Sequence, residues 1–171
     1  MPVYDVGILD GRYFFTMELV LGPTLGDWSR APDRSPLEVC RVFAEAGRGM
    51  AAAHAQGISH RSFTHHNVLI GADGRARVIN CGPSSRPFSD KLARADQFSF
   101  SAAFWQHVEL TRASFPRHLR PVLIRGMSID PRRRFPSMTA LVDALEGREA
   151  VVRRPVLTPF LAAISALLIS R

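Results

Sequence analysis

"AAAHAQGISHRSFTHHNVLI", residues 51–70, carries four of the chain's six histidines, with one arginine and one asparagine, between a run of alanines and an apolar triplet. The alanines continue a helix, and Gly57 can end it because a residue without Cβ enters the left-handed conformation at little cost. After the polar loop, "NVLIGADGRARVIN" reads as two short strands around Ala72-Asp73-Gly74. A histidine-rich loop between a helix and a hairpin is a place for chemistry, so metal ligation and nucleophilic catalysis must be weighed against packing.

A metal site would need His60, His65 and His66, with Cys81 brought near by the fold. Adjacent histidines in a loop rarely aim at one ion, and no acidic outer shell is evident, so His60 is expected in the core and the other two in solvent. Ser62 and Thr64 lack the positioned base and orienting partner that activate a hydroxyl nucleophile.

Upstream, Ser35-Pro36-Leu37-Glu38 is a helix start: a hydroxyl cap, proline at the first helical position, and a glutamate that reaches back. Leu37, Cys40, Phe43, Gly47, Met50 and Ala51 then keep helical spacing, predicting a buried face. Nearer the N-terminus, Val3–Leu9 and Arg12–Val20 flank the turn dipeptide Asp10-Gly11 and predict a hairpin. Thr24 and Asp27 have capping-box spacing and predict a short helix around Trp28.

Downstream, "ADQFSFSAAFWQHVEL", residues 95–110, reads as a helix with Asp96 at its N-cap and a stripe of Phe100, Phe104 and Val108. "LRPVLIRGMSIDP" and "SMTALVDALEG" complete a helical second half, and no internal repeat or low-complexity tract interrupts it.

The 171 residues are 46% hydrophobic, which suits one domain with a true core. Cys40 and Cys81, far apart and in no ligand pattern, suggest two reduced thiols rather than a disulfide framework. The net charge of +7 comes entirely from the C-terminal third: residues 1–110 hold 11 basic and 11 acidic side chains, and residues 111–171 hold 11 basic against 4 acidic. A distribution of that kind, ending in "VVRRP" before an apolar tail, argues for a membrane-proximal flank and against a nucleic-acid surface.

In order, the chain runs hairpin, helix, "HRSFTHHN", hairpin, "NCG", helix, helix, and over residues 2 to about 146 it resembles the C-terminal lobe of a bacterial serine/threonine protein kinase. The resemblance rests on "MELVLGPTL", "AAAHAQGISHRSFTHHNVLI", "RVINCG", "ADQFSF" and "LIRGMSIDPRRRFPSM", in the family's order. It implies an α+β fold: a mainly helical kinase-like large lobe over residues 21–147 with two short β-hairpins, and residues 1–20 as the remnant of a small lobe that is otherwise missing.

The same resemblance assigns roles. Catalytic positions fall at Arg61, Ser62 and Thr64, metal positions at Asn67 and Asn80, and adenine contacts at Glu18, Val20 and Leu69. The family's phosphoryl transfer needs a catalytic aspartate, a magnesium-holding asparagine and aspartate, and a lysine on the phosphates. Ser62 stands where the base should be, the loop lysine falls at Thr64, and the magnesium aspartate at Asn80. The chain's only lysine, Lys91, follows Asn80 and so cannot be the phosphate lysine that precedes the hinge.

ATP and magnesium are therefore implied by resemblance but expected to be weakly held or lost, and the chain is expected to act as a pseudokinase or binding module. An active ATP-dependent kinase completed by a partner chain and a product with no selected role stay open as alternatives. A protein partner or self-association is expected at the face that a small lobe would cover. Between Gly82 and Asp96 lie only 13 residues, without the Ala-Pro-Glu triplet whose glutamate would pair with Arg134. Arg134 is accordingly expected to find another acid or to open to water.

No secretory signal precedes the first hairpin, so the N-terminus is expected in the cytoplasm. Residues 148–155 read as a basic juxtamembrane linker, and Val156 to Ser170 are 15 residues without charge. At 1.5 Å per residue these reach about 22 Å, short of a hydrocarbon core of about 30 Å, so a short anchor on the inner membrane face and a docked helix both remain readings.

Overall fold

The computed structural model describes residues 3–81, 87–111 and 114–148. They form five α-helices and two small antiparallel sheets: β1 Val3–Leu9, β2 Arg12–Met17, α1 Leu25–Trp28, α2 Pro36–Ala55, β3 Val68–Ile70, β4 Ala76–Val78, α3 Asp90–Thr111, α4 Leu119–Gly126 and α5 Met138–Leu145. Two 3-10 turns, His65–Asn67 and Pro131–Arg133, complete the path. Among the described residues no helix is long and apolar enough to cross a membrane, and the segment 156–170 lies outside them.

Local chemistry sets most of these boundaries. Ser35 Oγ accepts from Glu38 N, and Glu38 accepts from Ser35 N at 2.9 Å, closing the capping box that starts α2. Gly57 ends that helix with φ +70°. Thr24 caps α1 by accepting from Asp27 N. Asp10 and Gly11, with φ of 50° and 74°, make the turn that aligns Leu9 with Arg12 and Ile8 with Tyr13.

The core lies where α2, α3 and α5 meet. Phe43 of α2 stacks on Phe104 of α3 with centroids 3.9 Å apart and rings parallel within 2°, while Phe100 meets Phe43 edge-on at 6.2 Å. Burying each such ring contributes roughly 1.5–3 kcal/mol. Helices approach closely where a side chain is missing. A Cβ on Gly47 would stand 2.6 Å from Val142 of α5, and one on Gly126 would stand 2.0 Å from Ser101 Oγ of α3.

Three expectations are corrected. Leu37 is 69% exposed, because the buried face of α2 runs through Val39, Val42, Phe43, Ala46 and Met50 and is rotated away from it. Strand β2 stops at Met17, and the chain from Glu18 to Pro23 instead passes along β3, where Ile70 N donates to Pro23 O at 2.9 Å. Helix α3 begins at Asp90 rather than at Asp96, which lies inside the helix and is fully buried.

Candidate functional site

The loop between α2 and β3 is shaped from behind by Asp96. Its Oδ2 accepts from His60 N and from His54 Nε2, each at 2.8 Å, and its Oδ1 accepts from Arg61 N at 2.5 Å. A buried carboxylate is costly unless its lone pairs are filled, and here two peptide N–H groups and an imidazole fill them. Arg61 is thereby held at φ 73°, a left-handed conformation that costs a non-glycine residue roughly 1–2 kcal/mol. His60, 4% exposed, donates from Nε2 to Ile79 O at 3.0 Å and packs edge-on to Phe63.

On the outer side of the loop, Ser62 is exposed and Phe63 points into the core. Asn67 Nδ2 donates to Ser62 O at 3.1 Å, which turns the Asn67 carbonyl toward Asn80. Asn80 Nδ2 then donates to Asn67 Oδ1 at 2.9 Å, and Asn80 sits at φ 62°. Ile79 N donates to Asn67 O at 2.9 Å, tying the two asparagine-bearing segments together along the backbone.

The sequence-assigned metal positions Asn67 and Asn80 thus meet, but they meet as donor and acceptor. A cation held between two oxygens needs both to face it, and here one amide supplies the proton that occupies the other's oxygen. Two uncharged amides, already joined, do not fit a hard dication that prefers carboxylate. Among the described residues no cluster of three or more His, Cys, Asp or Glu side chains is arranged to hold a metal.

Thr64 is exposed at the start of the 3-10 turn, where its carbonyl accepts from Asn67 N. His66 is exposed, but His65 is half-buried against α1, contrary to the expectation that both are solvated. The cause is Gly26, where a Cβ would lie 2.3 Å from His65 Cδ2. Burial, the neighbouring His66 and Arg30 all push the His65 pKa down. Burial likewise raises the Cys40 thiol to about 11 and lifts that of Cys81.

Of the adenine-contact positions, Glu18 and Leu69 come together through an arginine that sequence reasoning missed. Arg77 of β4 pairs across the hairpin with Leu69, donates from Nε to Glu18 Oε1 at 3.1 Å, and grips Asp73 with both terminal nitrogens at 2.9 and 3.0 Å. That grip holds the Asp73 carboxyl down at about 2. Val20 is half-buried nearby in sequence, between the exposed Leu19 and Leu21. The spacing of Asp73 and Arg77 was a signal for the pair, whereas nothing local pointed to Glu18.

Arg134 departs from both outcomes expected for it. Among the described residues no carboxylate pairs with it, and it remains part-buried: Nε donates to Ser128 O at 2.9 Å, Nη1 to Arg94 O at 2.7 Å, and the guanidinium lies 5.0 Å from the Phe98 ring centre. Burial and the nearby Arg94 lower its pKa.

No family model matches the chain. It is similar to the serine/threonine-protein kinase PknH of Mycobacterium bovis, with 29% identity over 115 residues that make up 67% of this chain and 19% of that one. The serine/threonine-protein kinase PknE of Mycobacterium tuberculosis is 30% identical over 95 residues, 55% of this chain and 17% of its own. A probable serine/threonine-protein kinase, pknA2 of Bifidobacterium longum, is 32% identical over 105 residues, 61% of this chain and 14% of its own. The chain thus spans about a fifth or less of the length of these curated relatives.

Proposed function

We propose, from the premise that this chain is related to the bacterial serine/threonine protein kinases, that it is a kinase-like binding module that does not transfer phosphate. One observation carries the reading: Asn80 donates to Asn67 at 2.9 Å where the resemblance calls for two magnesium ligands. Ser62 supports it, since a neutral hydroxyl does not take a proton from a substrate alcohol at neutral pH. Losing a general base typically costs 10²- to 10⁴-fold in rate, before any loss of metal charge is counted.

Residues 21–147 are read as the kinase-like large lobe and residues 1–20 as a small-lobe hairpin with the hinge. Tyr4, Val6, Ile8 and Tyr13 of the hairpin are between 63% and 83% exposed, which supports a partner-covered surface in that region. Adenine recognition through Glu18, Val20 and Leu69 belongs to the proposal as binding without metal.

The test is a thermal-shift titration of the full chain with ATP, with and without magnesium, beside a phosphoryl-transfer assay on a generic acceptor. Stabilisation that is indifferent to magnesium, with no transfer, is the expected result. Magnesium-dependent stabilisation, or label moved to any acceptor, overturns the reading.

A further inference from the structure

We propose that the groove between α1 and α3 binds a phosphoryl group carried on a peptide side chain. Two adjoining cavities of about 290 and 490 Å³ share Arg30, His65 and Gln106. The first is completed by Ser29 and His107, the second by Thr64 and His66. Together they fall in the range of about 300–1,000 Å³ that suits a ligand larger than a bare ion.

Among the described residues no aspartate or glutamate lines either cavity, and the fixed charge of the lining is the Arg30 guanidinium, with three histidines beside it. Among the described residues, the charged and titratable groups that face the groove are Arg30, two residues past the end of α1, His65 and His66 from the 3-10 turn, and His107 from α3. Asp27 stands beside it, but its carboxylate accepts from Thr24 Oγ1 at 2.7 Å and lies 3.5 Å from Arg30. Burial lowers the pKa of both His65 and His107, and each is lowered further by Arg30 and a neighbouring imidazole. The lowered values leave both imidazoles neutral, so Arg30 supplies the groove's fixed positive charge, shared with the exposed Asp27 on its outer side, and an entering anion would draw protons onto the rings.

The donors match an oxyanion with several oxygens. The guanidinium of Arg30 can offer paired N–H groups, Gln106 an amide N–H, and each imidazole gains a donor as the anion raises its proton affinity. His107 Nδ1 lies 3.2 Å from Ser29 Oγ, which also lies 3.3 Å from Gly26 O. Both contacts are satisfied when Ser29 donates to the carbonyl and Nδ1 donates to Ser29, an arrangement that leaves Nε2 to take up a proton. A phosphoryl dianion uses such a set more fully than a carboxylate, having three terminal oxygens. Gly26 is what lets His65 reach the groove, because a side chain there would collide with its ring. None of this uses the residues on which the proposed nucleotide site rests.

The test is fluorescence anisotropy of the full chain with a neutral synthetic peptide bearing one phosphoserine, against its unphosphorylated form and against inorganic phosphate as competitor. The phosphopeptide is expected to bind at least tenfold more tightly than either. Its binding to the unmodified chain should shift the ring resonances of His65 and His107. Arg30→Gln, at a side chain that is 54% exposed, should weaken binding about tenfold or more, while Arg120→Gln, whose guanidinium sits over Trp105, should leave it unchanged. Equal binding of the unphosphorylated peptide, inorganic phosphate as tight as the phosphopeptide, or silent histidine resonances would each overturn the proposal.

Discussion

Asp96 and the Asn67–Asn80 pair brace opposite sides of the same loop, and they differ in charge. Behind the loop a buried carboxylate gathers two peptide N–H groups and an imidazole; in front, two neutral amides satisfy one another. The first arrangement maintains a backbone path. The second stands where, by resemblance, charge would do chemistry. Keeping the loop's shape and the ion placement that resemblance would assign to it are physically separable, and only the first has a carboxylate here.

The sharpest way to break this comparison is Asp96→Ala. It would leave two buried N–H groups without acceptors and release Arg61 from its left-handed conformation, so stability to urea should fall by about 3–5 kcal/mol. A loss below about 1 kcal/mol would mean that the buried acid is not what holds the loop.

On the other side, Asn80→Asp tests whether the amide pair is self-sufficient. It replaces the donor to Asn67 Oδ1 with an acceptor and should cost about 1–2 kcal/mol without metal. Millimolar magnesium should return part of that loss to the variant and leave the parent's melting temperature unmoved. A magnesium response in the parent would erase the distinction between the two sides.

The smallest effect contrasts two imidazoles. His54 has the Asp96 carboxylate beside it, whereas His107 meets the Ser29 hydroxyl and the Phe43 and Phe115 rings and is held below its ordinary pKa chiefly by burial. A depressed histidine pKa means that the unfolded chain takes up the proton first. Its stabilising contribution is therefore complete above about pH 6.5 and declines as pH falls from there toward the folded value. His65 adds to the same trend. The urea midpoint should drop between pH 7.5 and 5.5, and His107→Gln should flatten that slope; a midpoint that rises on acidification would contradict the assignment. The lowered carboxyls of Glu38, Asp73 and Asp130 titrate below this window.

What the sequence revealed was whatever is decided within a few residues. The box at Ser35 and Glu38, the turn at Asp10-Gly11 and the stop at Gly57 were all readable because capping and positive φ are local. Asp96 reads as a cap because its three partners lie 35 to 42 residues away, and nothing in its own helix indicates them. Leu37 reads as core because spacing gives a face but not its heading. The site residues were legible as positions by resemblance, whereas the Asn67–Asn80 bond, the Arg77 clasp on Glu18 and the seat of His65 over Gly26 depend on which surfaces the fold brings together.

Among the described residues Arg134 is held by main-chain oxygens and an aromatic face, and this has a bearing on how the corner ages. A guanidinium paired with a carboxylate can be orphaned by one substitution in its partner, but no substitution deletes a peptide carbonyl. The two carbonyls that hold Arg134 therefore outlast a side-chain exchange at Ser128, whereas at position 94 the guanidinium also ties Pro131 O and Phe135 O, so the corner depends there on the backbone and the side chain together.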